Sequence, residues 1–142
     1  MPSVSIRFRV DFGRSCAIGP GKVALLEAIR RTGSLSQAAR ELRISYRRAW
    51  LLLESLNTAF RGPVTTMSTG GKGGGGARLT PFGAMIVSAY RRLETHLARR
   101  AEAALVGIAA QVVRSRPTIV RRRPLQKASA ATRRRASARS QR

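Results

Sequence analysis

Carboxylates, sulfur, imidazole and aromatic rings are all scarce in this chain of 142 residues. Six Asp and Glu stand against 28 Lys and Arg, there is one Cys (Cys16) and one His (His96), and Phe, Trp and Tyr together make up 5%. A single thiol and a single imidazole exclude a Cys/His zinc module and an intramolecular disulfide. So few rings exclude a broad base-stacking platform as the main binding device. Long apolar runs are missing too. The longest, Ala103 to Val113, is interrupted by Gln111 and is about half of the ~20 residues that a spanning helix needs. The N-terminus, MPSVSIRFRVDFGR, sets charges at alternate positions where a secretory signal would be continuously apolar. A cytoplasmic chain without membrane contact is therefore expected. No constellation of acid, base, nucleophile and metal ligand is legible, so neither an enzyme nor a cofactor is expected.

Positive charge is what the chain has in abundance. The formal net charge is +22 and the sequence pI is near 12.0, which calls for a polyanionic partner, usually nucleic acid. The charge is unevenly distributed. Residues 1–110 hold 17 basic and all six acidic residues, whereas residues 111–142 hold 11 basic residues and no acidic one. From Arg114 onward the composition is dominated by Arg, Ala, Ser, Thr and Pro without a sustained apolar period, the signature of a disordered basic tail. The expected organisation is a DNA-binding domain over residues 1–80, a long helix over 81–113 and the Arg-rich tail over 114–142.

Periodicity supplies the elements. Val4, Ile6, Phe8 and Val10 alternate with Ser5, Arg7, Arg9 and Asp11, which predicts a strand over Val4–Phe12. After the Gly19-Pro20-Gly21 break, Leu25, Leu26 and Ile29 form one helical stripe over Lys22–Arg31, closed by Gly33. Ser34 and Gln37 have capping-box spacing at the start of a short helix running to Leu42. Arg43-Ile44 is a turn, and Ser45 caps a longer helix to about Phe60, with Ala49, Leu53, Leu56 and Phe60 inward and Tyr46, Arg47 and Arg48 outward. Val64–Ser68 and Ala77–Leu79 read as short strands around the glycine run Gly70–Gly76. Thr80-Pro81 opens a last helix to about Val113, whose stripe is Phe82, Ile86, Ala89, Leu93, Leu97, Ala101 and Leu105. The fold class is mainly α with a little β: a winged helix-turn-helix with an N-terminal strand and a long C-terminal dimerisation helix. In that architecture the third helix presents its N-terminal side chains to base edges in the major groove.

Three segments of the chain resemble the N-terminal DNA-binding domain of ModE-type, molybdate-responsive transcription regulators, relatives of the LysR-type winged helices. They are Thr32-Gly33-Ser34-Leu35-Ser36-Gln37-Ala38-Ala39, Ile44-Ser45-Tyr46-Arg47-Arg48-Ala49-Trp50, and the glycine-rich stretch from Ser68 to Thr80. The resemblance covers about residues 4–110 and implies a sequence-selective regulator of transcription. Two departures stand out. Thr65-Thr66-Met67 occupies the place where the family tends to carry an acidic-basic pair. The family's C-terminal oxyanion-binding module is replaced by the Arg-rich tail, so molybdate sensing is not expected of this chain alone: either the regulator is constitutive, or its level is the signal, or a separate oxyanion-sensing partner acts with it.

The candidate DNA-binding residues are Ser36, Gln37, Ser45, Tyr46, Arg47, Arg48, Lys72 and Arg78. Arg47 and Arg48 follow directly on a helix cap, the position of base contact. Tyr46 suits contact and packing equally, and Ser36 is either a phosphate ligand or a local cap. Trp50, one residue off the inward stripe, is expected to pack on the wing or the first helix, because a large aromatic is seldom left bare. His96 is read as a surface or packing residue. The glycine run formally satisfies a dinucleotide pattern, but no apolar helix follows it, and neither Lys72 nor Lys22 has the glycine and hydroxyl residues of a phosphate-binding loop. Between two strands, with Lys72 and Arg78 on it, the run reads as a wing tip on DNA backbone. The expected partner is double-stranded DNA, bound by a homodimer formed through residues 81–113. An architectural protein with little sequence preference and a basic RNA-binding protein are the alternatives.

Overall fold

A computed structural model describes residues 3–69 and 76–113 of the chain. All of its elements lie within one unit, Met1–Val112. The predicted basic tail, from Arg114, lies outside the described residues, as does Lys72.

A hairpin comes first: β1 (Val10–Phe12) and β2 (Cys16–Ile18) pair antiparallel, Val10 opposite Ile18 and Phe12 opposite Cys16. The predicted strand over Val4–Phe12 is thus corrected to its last three residues. The alternation itself is present, with Ser5, Arg7 and Arg9 exposed and Val4, Ile6 and Phe8 half-buried. The reason lies in what the apolar side meets. Phe8 stacks on Tyr90 at 4.5 Å between centroids, and the Tyr90 hydroxyl donates to the Phe8 carbonyl at 2.8 Å. A helix covers this segment, so period-two burial arises without a ladder.

Three helices form the centre. α1 (Pro20–Thr32) starts with proline at its first position and buries Val23, Leu25, Leu26, Ala28 and Ile29. It ends at Gly33, whose φ of 69° allows its N–H to reach the Ile29 carbonyl at 2.8 Å. α2 (Leu35–Glu41) is capped by Ser34, whose Oγ accepts the Gln37 N–H. The reciprocal half of the predicted capping box is not formed: the Ser34 N–H meets Thr32 Oγ1 at 3.4 Å instead. α2 closes in a Schellman arrangement, with Ile44 N–H on the Ala39 carbonyl and Arg43 N–H on that of Arg40. Arg43 takes the left-handed position with φ 55°, where glycine is usual.

α3 (Tyr46–Asn57) is capped by Ser45 through the Arg48 N–H and buries Ala49, Leu53 and Leu56. It stops three residues short of the predicted Phe60, and Asn57 is the reason. Its Oδ1 accepts the N–H groups of Val64 and Thr65 at 2.9 and 3.2 Å, and its Nδ2 donates to Thr65 Oγ1 at 3.1 Å. Phe60 lies beyond the helix, edge-on to Phe82 and Phe12.

β3 (Thr65–Ser68) and β4 (Gly76–Leu79) form the second hairpin, Thr65 opposite Leu79 and Ser68 opposite Gly76. Backbone hydrogen bonds fix it from two sides: Ala77 N–H to the Gly33 carbonyl at 2.8 Å and Thr80 N–H to that of Val64 at 3.0 Å. α4 (Pro81–Ala109) follows, capped by Thr80 through the Gly83 N–H. It ends four residues before the predicted Val113, and its inward face is corrected. Gly83, Ile86, Val87 and Tyr90 are buried, whereas Ala89 and Leu93 are exposed. Both rows satisfy helical spacing; Tyr90 wins because its ring meets Phe8. Beyond Tyr90 no described residue of α4 is buried.

Candidate nucleic-acid interface

The first turn of α3 places Tyr46, Arg47 and Arg48 in solvent, Tyr46 with 55% of its surface exposed. Ser45 is exposed too, but its Oγ is occupied by the Arg48 N–H and so orients the turn. The Schellman turn through Arg43 sets the direction in which α3 leaves α2. Arg43 and Arg40 are exposed just ahead of the α3 cap, two cations that the sequence reading did not single out.

Gln37 is exposed on the first turn of α2, while Ser36 is half-buried with its Oγ 3.0 Å from Ser34 Oγ. That hydroxyl pair suits a local cap. The Ala77–Gly33 hydrogen bond holds β4 against the α1–α2 corner from which Ser36 and Gln37 rise. Arg78, the next residue of β4, is exposed opposite Thr66. The structure thus sets Ser36 and Gln37 on the first turn of α2, Arg78 on the strand whose backbone is tied to the α1–α2 corner, and Ser45–Arg48 at the head of α3.

Trp50 corrects the sequence reading. It is 46% exposed, and Leu51 beside it is 50% exposed. Glu54, one turn on, is exposed as well. The signal was available in the helical wheel: with Ala49, Leu53 and Leu56 inward, Trp50 falls on the flank of the stripe, not in it.

Electrostatics separates structural arginines from free ones. Asp11 pairs with Arg9 at 2.7 Å, Glu41 with Arg31, and Glu27 and Glu94 both with Arg91 at 2.7 and 2.6 Å. The Arg91 hydrogen bonds hold the Glu27 carboxyl below its ordinary range against the opposing effect of burial, and raise the guanidinium's own affinity for its proton. This bidentate clamp joins α1 to α4. Among the described residues, no carboxylate pairs with Arg47, Arg48 or Arg78. Cations left without an internal anion are the groups available to phosphate.

Two braced helices, a third with a basic leading turn and an antiparallel hairpin tied to the first helix define a winged helix-turn-helix domain. Residues 21–84 match the bacterial regulatory helix-turn-helix proteins of the lysR family. Over 82 residues the chain is 48% identical to the molybdenum-pterin-binding protein MopB of Rhodobacter capsulatus, covering 58% of this chain and 30% of that one. It is 38% identical over 88 residues to the molybdenum transport protein ModE of Azotobacter vinelandii, covering 62% and 33%. It is 39% identical over 71 residues to the DNA-binding transcriptional dual regulator ModE of Escherichia coli K12, covering 50% and 27%. The chain therefore spans about a third of the length of these relatives. Among the described residues no helix is long and apolar enough to cross a membrane.

Proposed function

We propose that the chain is a sequence-selective, double-stranded DNA-binding transcriptional regulator and not an enzyme. The observation that carries this reading is the head of α3: two exposed arginines without carboxylate partners directly after a serine cap, on a helix braced by α1 and α2. Tyr46, Arg47 and Arg48 read base edges in the major groove, with Ser45 fixing their turn. Ser36, Gln37, Lys72 and Arg78 hold the backbone. Phosphate contacts supply most of the affinity and its salt dependence, and base contacts supply the discrimination. The site of action is the cytoplasm.

The exposed apolar residues of distal α4, Leu93, Leu105, Val106 and Ile108, support a homodimer through this helix. Large apolar side chains left in water at this density mark a surface that another chain covers. The relatives' names mention molybdenum, but the match covers only about a third of their length. Selective molybdate binding is not proposed for these 142 residues by themselves. Titration of the purified chain with molybdate and with sulfate checks this, and saturable binding of molybdate alone refutes it.

Selection of bound sites from a random duplex library tests the main reading. Two related half-sites are the expected result. An operator-to-random ratio near one favours the architectural alternative, and preference for structured RNA at equal salt favours the RNA-binding one.

A further inference from the structure

The open side of α3 carries more than charge. Tyr46 and Trp50 stand one turn apart in one row, and Arg47 and Leu51 one turn apart in the adjacent row. All four are exposed. A helix of 12 residues thus leaves three large apolar side chains in solvent, although its inward row is filled by Ala49, Leu53 and Leu56. Among the described residues the aromatic pairs are Phe8–Tyr90, Phe12–Phe60 and Phe60–Phe82, so neither Tyr46 nor Trp50 has a ring partner. The surface is apolar and cationic within one helical turn, because Arg47 has no carboxylate partner there either.

A surface of this kind constrains its occupant. An apolar protein patch seated on Trp50 and Leu51 would bury the Arg47 guanidinium without an anion, at a high desolvation cost. The major groove of a duplex answers both halves at once. Guanine O6 and N7 accept from a guanidinium, and the thymine C5-methyl group is an apolar knob on the same groove floor. Tryptophan and leucine have no hydrogen-bond acceptor with which to read cytosine or adenine amino groups, and a methyl is what an apolar side chain can distinguish. Given α3 as the duplex reader, we infer that Trp50 and Leu51 are specificity residues that read thymine by its methyl group, beside the base pair taken by Arg47. Trp50 touches the methyl with its ring, and Leu51 closes the contact from the adjacent row.

The test removes the methyl and nothing else. Once a preferred duplex has been selected, each thymine is replaced in turn by deoxyuridine and affinity for the wild-type chain is measured. One or two positions per half-site should lose about fourfold each, the size expected for one buried methyl-sized group. Trp50→Ala or Leu51→Ala should bring the uracil penalty at those positions close to one, while replacement of guanine by 7-deazaguanine at the Arg47 position keeps its full effect. Trp50 is the sole tryptophan, so its fluorescence reports the contact directly. It should change on binding the selected duplex and change less with the uracil version. Both side chains are half in solvent, and the uracil series on the wild-type chain needs no variant at all. Silence at every thymine in the wild-type chain overturns the inference, as does a penalty unaltered in both variants. A chain that selects no duplex sequence overturns the regulator reading first, before uracil is introduced.

Discussion

Gly83→Ala is a substitution whose sign separates local propensity from tertiary packing. Glycine inside a helix is ordinarily a weakness, and alanine there gains about 1 kcal/mol. At Gly83 the added Cβ would be driven against the Val64 carbonyl oxygen, 3.1 Å from its carbon and 3.4 Å from its Cα. These are backbone atoms, and they are not free to retreat. The Val64 side chain is fully buried, its N–H is held by Asn57, and its carbonyl accepts from Thr80. Overpacking of a well-filled site costs about 1–3 kcal/mol, and a doubly anchored backbone places Gly83 at the upper end. After the propensity gain, a net loss of about 2 kcal/mol remains, or a melting temperature roughly 10 °C lower for a domain of this size. Gly107→Ala is the control in the same helix. It meets no atom within 4 Å and should be neutral or stabilising by up to about 1 kcal/mol. Thermal and urea denaturation of both variants at matched protein concentration decide the matter. A Gly83→Ala protein that melts at or above the wild type refutes the packing argument. Because Val64 leads into β3, the same variant should also bind duplex DNA more weakly.

Arg43→Gly should stabilise the domain by about 1 kcal/mol, since the left-handed position after α2 favours glycine; an unchanged or lower urea midpoint contradicts this. Glu27 has its carboxyl held below the ordinary value near 4.5 by Arg91, so its stabilisation is complete above that value and fades as pH falls through the lower folded-state value. Glu27→Gln should therefore melt below wild type at neutral pH, with the gap narrowing in acid; a pH-independent gap rejects the assignment. Arg47→Ala should weaken binding of the selected duplex by about 1–3 kcal/mol and relax one base position. Arg78→Ala should weaken all duplexes alike and make the salt dependence shallower by about one phosphate contact. Equal losses on selected and random duplex from both variants would dissolve that division of labour.

What the sequence disclosed depended on how local the cause was. Ser45, Thr80 and Gly33 act within one helical turn, so their residue types and spacing were enough to place three helix ends. Asn57 ends α3 by reaching eight residues ahead to Thr65, and nothing around Phe60 announces that bond. The Val4–Phe8 alternation correctly marked one apolar side, yet alternation does not say whether a strand or a helix will cover it. In α4, Ala89-Leu93 and Val87-Tyr90 belong to rows of equal periodicity, and the choice rests on Phe8, more than 80 residues away. Trp50 lies on the flank of the α3 stripe, where the tendency of large aromatics to be buried does not hold.

The length of α4 has a geometric consequence. Its last buried residue is Tyr90, and the apolar pair Leu105–Val106 lies about 22 Å further along the axis at ~1.5 Å per residue. In a dimer joined there, this rod is a lever with a fixed phase. One inserted residue would move the joint by only about 1.5 Å but swing it by roughly 100° around the axis, turning the recognition helices away from each other. An insertion of seven residues restores the facing to within about 20° and lengthens the arm by about 10 Å. The spacing between half-sites that such a dimer spans can therefore change only in steps that return the phase, such as about seven, 11 or 18 residues, and not residue by residue; single insertions or deletions between Tyr90 and Leu105 should abolish paired binding while leaving each wing able to grip DNA.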